Sequence, residues 1–156
     1  MKKIKLLTLE YLIQRKQTLF LLLALALTVL CLCLPLGHYT HGMTDAGTLY
    51  NLWISATDGK HDFSVWALFA ILLITCPITI CAIFGYRNRI VQSRFCMFNM
   101  LLILGWYIVF TVIVAGKDTK LSVSTILPVV ALILNFMAHK AIIADEKLVR
   151  DADRIR

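Results

Sequence analysis

The chain has 156 residues, of which 60% are hydrophobic and only 16% charged, with a mean hydropathy of +0.80 and a formal net charge of +7. A soluble domain is nearer half apolar and a quarter charged, so an ordinary soluble globule is excluded and the excess must face lipid or the inside of a bundle. The positive balance is no nucleic-acid footprint either, because it is distributed around apolar runs in the way membrane topology demands.

Residues 1–17 open on a basic stretch, "MKKIKLL". Glu10, Gln14, Arg15 and Lys16 interrupt any apolar core, and no small-residue cleavage pattern precedes the first loop. These features argue for a retained segment rather than a signal peptide. A short amphipathic interfacial helix is expected here, with Leu6, Leu9 and Ile13 on one face and Lys5, Gln14 and Lys16 towards water or headgroups. Four runs without Asp, Glu, Lys or Arg follow: Thr18 to Leu36, Val65 to Phe84, Phe95 to Val114 and Leu121 to Ala138. About 20 apolar residues cross the roughly 30 Å hydrocarbon layer as a helix. Barrel-type alternation is absent from these runs. The expected fold class is therefore an all-α membrane protein, an antiparallel bundle of four transmembrane helices over 18–138, forming one domain without internal repeats.

Pro35 and Gly37 end the first run. The segment "GHYTHGMTDAGTLYNLWISATDGKHDFS" then predicts one or two short strands, a hairpin turning at Asp58 and Gly59. Tyr39, Tyr50, Trp53 and Trp66 are candidates for an aromatic belt at headgroup level. The connections "GYRNRIVQSR" and "AGKDTK" are short, so neighbouring helices should be antiparallel. Pro77 and Pro128 predict kinks in helices two and four, with Thr75, Thr79 and Thr125 placed to relieve freed carbonyls. Lys and Arg divide 13 to 3 between the two sides. The richer side holds both termini and the middle connection, which predicts a multi-pass protein of a bacterial inner membrane with both termini cytoplasmic. Anionic lipid headgroups suit that side.

Chemistry is sparse. Ionisable residues, the usual mark of an intramembrane site, are missing from the runs. Asn99 and Asn135 are the amides at depth and are expected to meet across an interface, as structural contacts first and a polar substrate site second. Cys31, Cys33, Cys76, Cys81 and Cys96 lie within or at the edge of apolar runs and read as small packing residues. Cys31 and Cys33, two apart on a helix, point away from each other. His38, His41 and His61 with Asp45 and Asp62 share the outward loop, but their spacing matches no zinc ligand pattern. His38 and His139 sit at opposite ends and cannot share a haem iron. No phosphate loop, nucleophile motif or paired acid is present. The expectation is no enzyme, no cofactor, no metal and no nucleic-acid partner.

Residues 139–156 continue helix four as a charged cytoplasmic helix. Ala141, Leu148, Ala152 and Ile155 form an apolar stripe. Glu146 with Arg150, Lys147 with Asp151, Asp151 with Arg154 and Asp153 with Arg156 are helix-spaced pairs, each adding about 0.2–0.5 kcal/mol. A helix from 121 to 156 would project roughly 20 Å beyond the membrane. Glu146, Leu148, Arg150, Asp153, Arg154 and Ile155 are its candidate interaction surface, for a protein partner or a second copy. The rival expectation is a bundle that binds or transports a lipid or small molecule through its proline-kinked helices.

Three stretches carry a resemblance. "YLIQRKQTLFLLLALALTVLCLCLPL" resembles the opening of a family of small four-helix membrane proteins from Bacteroidota, with its Ile-Gln-Arg. "YRNRIVQSRFCMFNMLLILG" resembles that family's basic loop into helix three. "KAIIADEKLVRDADRIR" resembles its closing Asp-Glu-x-Leu-Val-Arg and Ala-Asp-Arg. This is domain-of-unknown-function family 4293, matched here over about 12–156, with the first eleven residues additional. The resemblance implies four helices and an inner membrane. It implies no activity and brings no catalytic residues.

Overall fold

The computed structural model describes residues 2–41, 44–56, 58–85, 88–115 and 118–154. Four helices dominate: α1 (Lys2–Cys33), α2 (Trp66–Phe84), α3 (Arg89–Val114) and α4 (Leu127–Arg154). Each contains a stretch long and apolar enough to cross a membrane. Each helix packs on its chain neighbours, and α1 closes the ring against α4. Leu, Ala and other strong helix formers fill α1, which has no Gly or Pro across its length. The short helix expected over 1–17 is therefore one uninterrupted helix with the first span. The side chains of its proposed amphipathic face, Leu6, Leu9, Ile13, Lys5 and Gln14, lie outside the described residues.

The buried positions repeat at alternating steps of four and three. On α1 they are Gln17, Leu21, Ala24, Thr28 and Cys31; on α2, Leu68, Leu72, Thr75, Thr79 and Ala82. On α3 they are Gln92, Cys96, Asn99, Ile103, Trp106 and Phe110; on α4, Ala131, Asn135, Ala138, Ile142 and Asp145. This 3.5-residue period is the seam of a left-handed bundle. The seam is rich in polar and small residues, whereas Leu22, Leu73, Ile108 and Phe136 are about half or more exposed. Only 22–28% of each apolar span is buried. An exterior this apolar is compatible with a multi-pass membrane protein, whose helices meet through small and polar residues rather than through large apolar ones.

A sheet caps one end of the bundle. It is larger than the expected hairpin, with five antiparallel strands: β1 (Gly37–His41), β2 (Thr44–Leu49), β3 (Ile54–Ala56), β4 (His61–Asp62) and β5 (Thr119–Leu121), in the order β4-β3-β2-β1-β5. The first loop supplies four strands where one or two are expected, and a fifth, β5, comes from the α3–α4 connection and pairs Gly37 with Leu121. Three residues, one of them Lys120, give too short a pattern to read. The turn at Asp58 and Gly59 is present: Gly59 has φ 74°, and its N–H donates to Ala56 O at 3.0 Å. Leu36, Leu49 and Ile54 of the sheet region join Val65, Leu68, Trp106 and Phe110 in the largest apolar cluster.

The proline expectations divide. Pro77 lies inside α2. Thr75 and Thr79 donate to Leu72 O and Thr75 O at 2.7 and 2.8 Å. They do not relieve Leu73 O, the carbonyl four residues before Pro77. Pro128 is not mid-helix. A single 3₁₀ turn, Val123–Ile126, precedes α4, and Pro128 is the second residue of the helix, where a missing N–H costs nothing. So helix four starts at Leu127 instead of Leu121, and the rival reading loses one of its two kinks. Of the aromatic-belt candidates, Trp66 is exposed, and Trp53 meets Tyr50 at a tilt and His61 and Phe63 edge-on, with ring centroids 5.6, 5.6 and 6.3 Å apart. Tyr39 instead packs on the apolar cluster beneath the sheet.

Gly47 sets how closely β2 approaches β3. A Cβ there would sit 2.4 Å from Ser55 O and 2.9 Å from Tyr39 Cε1. Gly47→Ala should lower stability by about 1–3 kcal/mol through overpacking. Thermal unfolding in detergent checks this, with Gly105→Ala, where an added Cβ meets nothing within 4 Å, as the neutral comparison.

Candidate functional site

Asn99 and Asn135 meet, as their positions near the same end of their helices predict. Asn99 Nδ2 donates to Asn135 Oδ1 at 3.1 Å and to Thr79 Oγ1 at 3.0 Å. Asn135 Nδ2 returns to its own helix, donating to Ala131 O at 2.8 Å. Three helices are thus tied in one layer, and all three side chains are fully buried. Such contacts between spanning helices contribute on the order of 0.6–1.7 kcal/mol each. Among the described residues, two buried side-chain atoms have no hydrogen-bond partner, Asn99 Oδ1 and Gln17 Nε2.

At the end remote from the sheet, Arg89 on α3 meets Asp145 on α4. The guanidinium lies 2.7 Å from Asp145 Oδ2 and also donates to Asp145 O at 3.4 Å. The Asp145 side chain is only 5% exposed, against 23% for Arg89. Nearby, Ser93 and the His139 ring are 3.1 Å apart. Sequence reasoning placed Asp145 in the solvated tail and Arg89 among the topology-setting charges, and so missed the pair. A signal existed: Asp145 continues the Ala131, Asn135, Ala138, Ile142 row at the same spacing.

The ion pair holds the helix against the bundle as far as Asp145. The nine described residues beyond it, 146–154, extend about 14 Å at 1.5 Å each. Within that segment Leu148, Arg150 and Arg154 are exposed. Glu146 is half-buried and accepts from Arg150 at 2.8 Å, as the spacing predicts. Ala141 is half-buried while Leu148 and Ala152 are exposed, so the expected stripe is not one continuous face. The Asp153 side chain, Ile155 and Arg156 lie outside the described residues.

The sheet end has its own polar joint, also unread in the sequence. Asn51 is fully buried; its Nδ2 donates to Cys31 O at 2.7 Å, and its Oδ1 accepts from Trp106 Nε1 at 3.2 Å. Asn51 therefore caps a carbonyl in the last turn of α1, which has no partner within the helix, and fixes α3 to the same loop. An asparagine between turn residues gives no hint of this in a linear pattern. Tyr107 Oη donates to Thr125 O at 2.6 Å, and Ser124 Oγ donates to Pro35 O. Cys31 is buried and Cys33 exposed, on different faces of α1.

His38 and His61 do not converge. His38 on β1 bonds Thr48 at 3.2 Å, while His61 on β4 meets Trp53 edge-on. Two strands separate them, about 14 Å at the usual strand spacing. The side chains of His41 and Asp45 lie outside the described residues. Among the described residues no three His, Cys, Asp or Glu side chains cluster as metal ligands do.

With this geometry in hand, the match to known families is informative. The model of the domain of unknown function DUF4293 matches residues 13–155. The chain belongs to this family. The DUF4293 match begins at Ile13, the first residue of the Ile-Gln-Arg, and takes in Arg89, Asn99, Asn135 and Asp145, so both contact layers fall inside it. No curated protein matches the chain.

Asp145→Ala should cost about 1.5–3 kcal/mol, because it strands a partly buried guanidinium. Glu146→Ala, which breaks an exposed i,i+4 pair, should cost about 0.5 kcal/mol or less. Denaturation of the purified variants in detergent, run side by side, measures the difference.

Proposed function

We propose that this DUF4293 protein is a non-enzymatic integral protein of a bacterial inner membrane, with both termini cytoplasmic, whose α4 end is a docking or assembly surface. The observation that carries the reading is the contrast at Asp145. One residue is buried and ion-paired to α3, and directly beyond it Leu148 is 61% and Val149 38% exposed, beside Arg150 and Arg154. An apolar patch framed by charges is held at a fixed angle to the bundle. A patch fixed in this way loses little conformational entropy when a partner covers it.

The charge asymmetry of 13 to 3 supports the orientation. The rival, a bundle that binds or transports a lipid or small molecule, draws on the Asn99 and Asn135 layer. That layer directs three amide donations to Thr79, Asn135 and Ala131, and Pro128 sits at a helix start, so the docking reading is the better supported.

Two experiments test this. A photo-crosslinking residue at Leu148 or Arg150, in native membranes, should yield a discrete protein adduct, and Leu148→Asp should abolish the adduct formed from position 150; the same residue at Leu104 or Val112 should yield lipid adducts. Identical products at all four positions would sink the docking surface. Stopping the chain before Asp145 is a poorer probe, because it removes the ion pair together with the patch. For orientation, an impermeant maleimide should label Asp58→Cys in intact spheroplasts and Arg154→Cys only after the membrane is opened. The reverse pattern overturns the topology.

A further inference from the structure

Asn99 Oδ1 is the most consequential loose end in the bundle. It is buried among groups that cannot serve it. The amide orientations follow from one fixed point. Ala131 O only accepts, so the Asn135 atom 2.8 Å away must be Nδ2. Asn135 Oδ1 then faces Asn99, which obliges Asn99 to present Nδ2 at 3.1 Å. Turning the Asn99 amide over would set oxygen against oxygen, and turning both would move the clash to Ala131 O. Thr79 Oγ1 uses its proton on Thr75 O. On α1 the buried side chains next in the seam are Leu21 and Ala24, neither of which donates. A buried amide oxygen without a donor is uncommon in native structures and costly in low dielectric.

We propose that Asn99 Oδ1 is the anchor of a single resident water molecule inside the bundle. The layer is chemically suited to water and unsuited to a cation or a charged solute. Its polar side chains, Thr79, Asn99 and Asn135, are all neutral, and one free oxygen falls far short of the six or more that a hard cation requires. The flanking levels mix small and large residues, Ala24 and Ala131 with Ile103 on one side and Ala82, Cys96 and Ala138 with Leu21 and Ile142 on the other. Water gives one proton to Asn99 Oδ1 and has a second for a helix carbonyl. With it every buried side-chain nitrogen and oxygen of the three-helix layer has at least one partner.

The test is magnetisation transfer from water, measured by solid-state NMR on the full-length chain in lipid bilayers. At short mixing times the Asn99 side-chain amide should gain water polarisation several-fold faster than the backbone amides of Ile103 and Leu72, which are equally buried. Asn99→Leu should bring the Asn135 side-chain amide down to the Ile103 level. Slow transfer to Asn99 in the parent protein overturns the proposal. So does equally fast transfer to Ile103 and Leu72, which would mean a generally wetted bundle. An Asn135 signal unchanged in Asn99→Leu does the same. The comparison within the parent protein decides the question even if the variant does not fold.

Discussion

Asn99 commits both amide protons inside the bundle, one to Thr79 and one to Asn135. The register of three helices depends on that commitment. Helices this apolar on the outside have no hydrophobic reason to prefer one rotation over another once lipid surrounds them, since lipid tails are as apolar as leucine. A polar group at one level removes the degeneracy. Sliding α3 by a turn past α4 would leave two amides without partners in a medium that offers none.

The two ends of the bundle are closed by different physics. At the sheet end, backbone pairing joins both interhelical connections, and Asn51 ties the sheet to α1 and α3. At the other end a single inter-helix ion pair, Arg89 with Asp145, carries the closure among the described residues. A buried pair adds little net stability, because desolvation offsets its attraction, yet breaking it is expensive. That asymmetry suits a determinant of geometry. It directs the last turns of α4 without making the bundle much more stable.

Helix count, antiparallel order, the Asn99–Asn135 contact and the Glu146–Arg150 pair were all legible in the linear sequence, because each depends on spacing within one helix or on run length. Four things were not. β5 is three residues long and has meaning only beside β1. Asn51 gains its role from a carbonyl 20 residues away. Pro128 looks like a kink until the start of α4 is known. Asp145 looks solvated because its neighbours are charged, although its spacing places it on the seam. Polar and small residues at steps of three and four, such as Thr75, Thr79 and Ala82 or Ala131, Asn135 and Ala138, mark part of the seam on every helix. In a membrane-type bundle the informative stripe is the less hydrophobic one.

The β1–β5 pairing has a consequence for the order of assembly. A chain made from its N-terminus presents β1 to β4 between α1 and α2, so that meander can form as soon as its residues emerge. Its fifth strand arrives only after α3, some 80 residues after β1. Until then the β1 edge is open, its backbone groups unpaired. Closing it brings the α3–α4 turn beside Gly37 and swings α4 towards α1. The long-range strand pair, slow to form because its loop is long, therefore sets the start of α4 beside the end of α1. Before it, the nascent chain carries an unprotected strand edge of the kind that pairs with strangers.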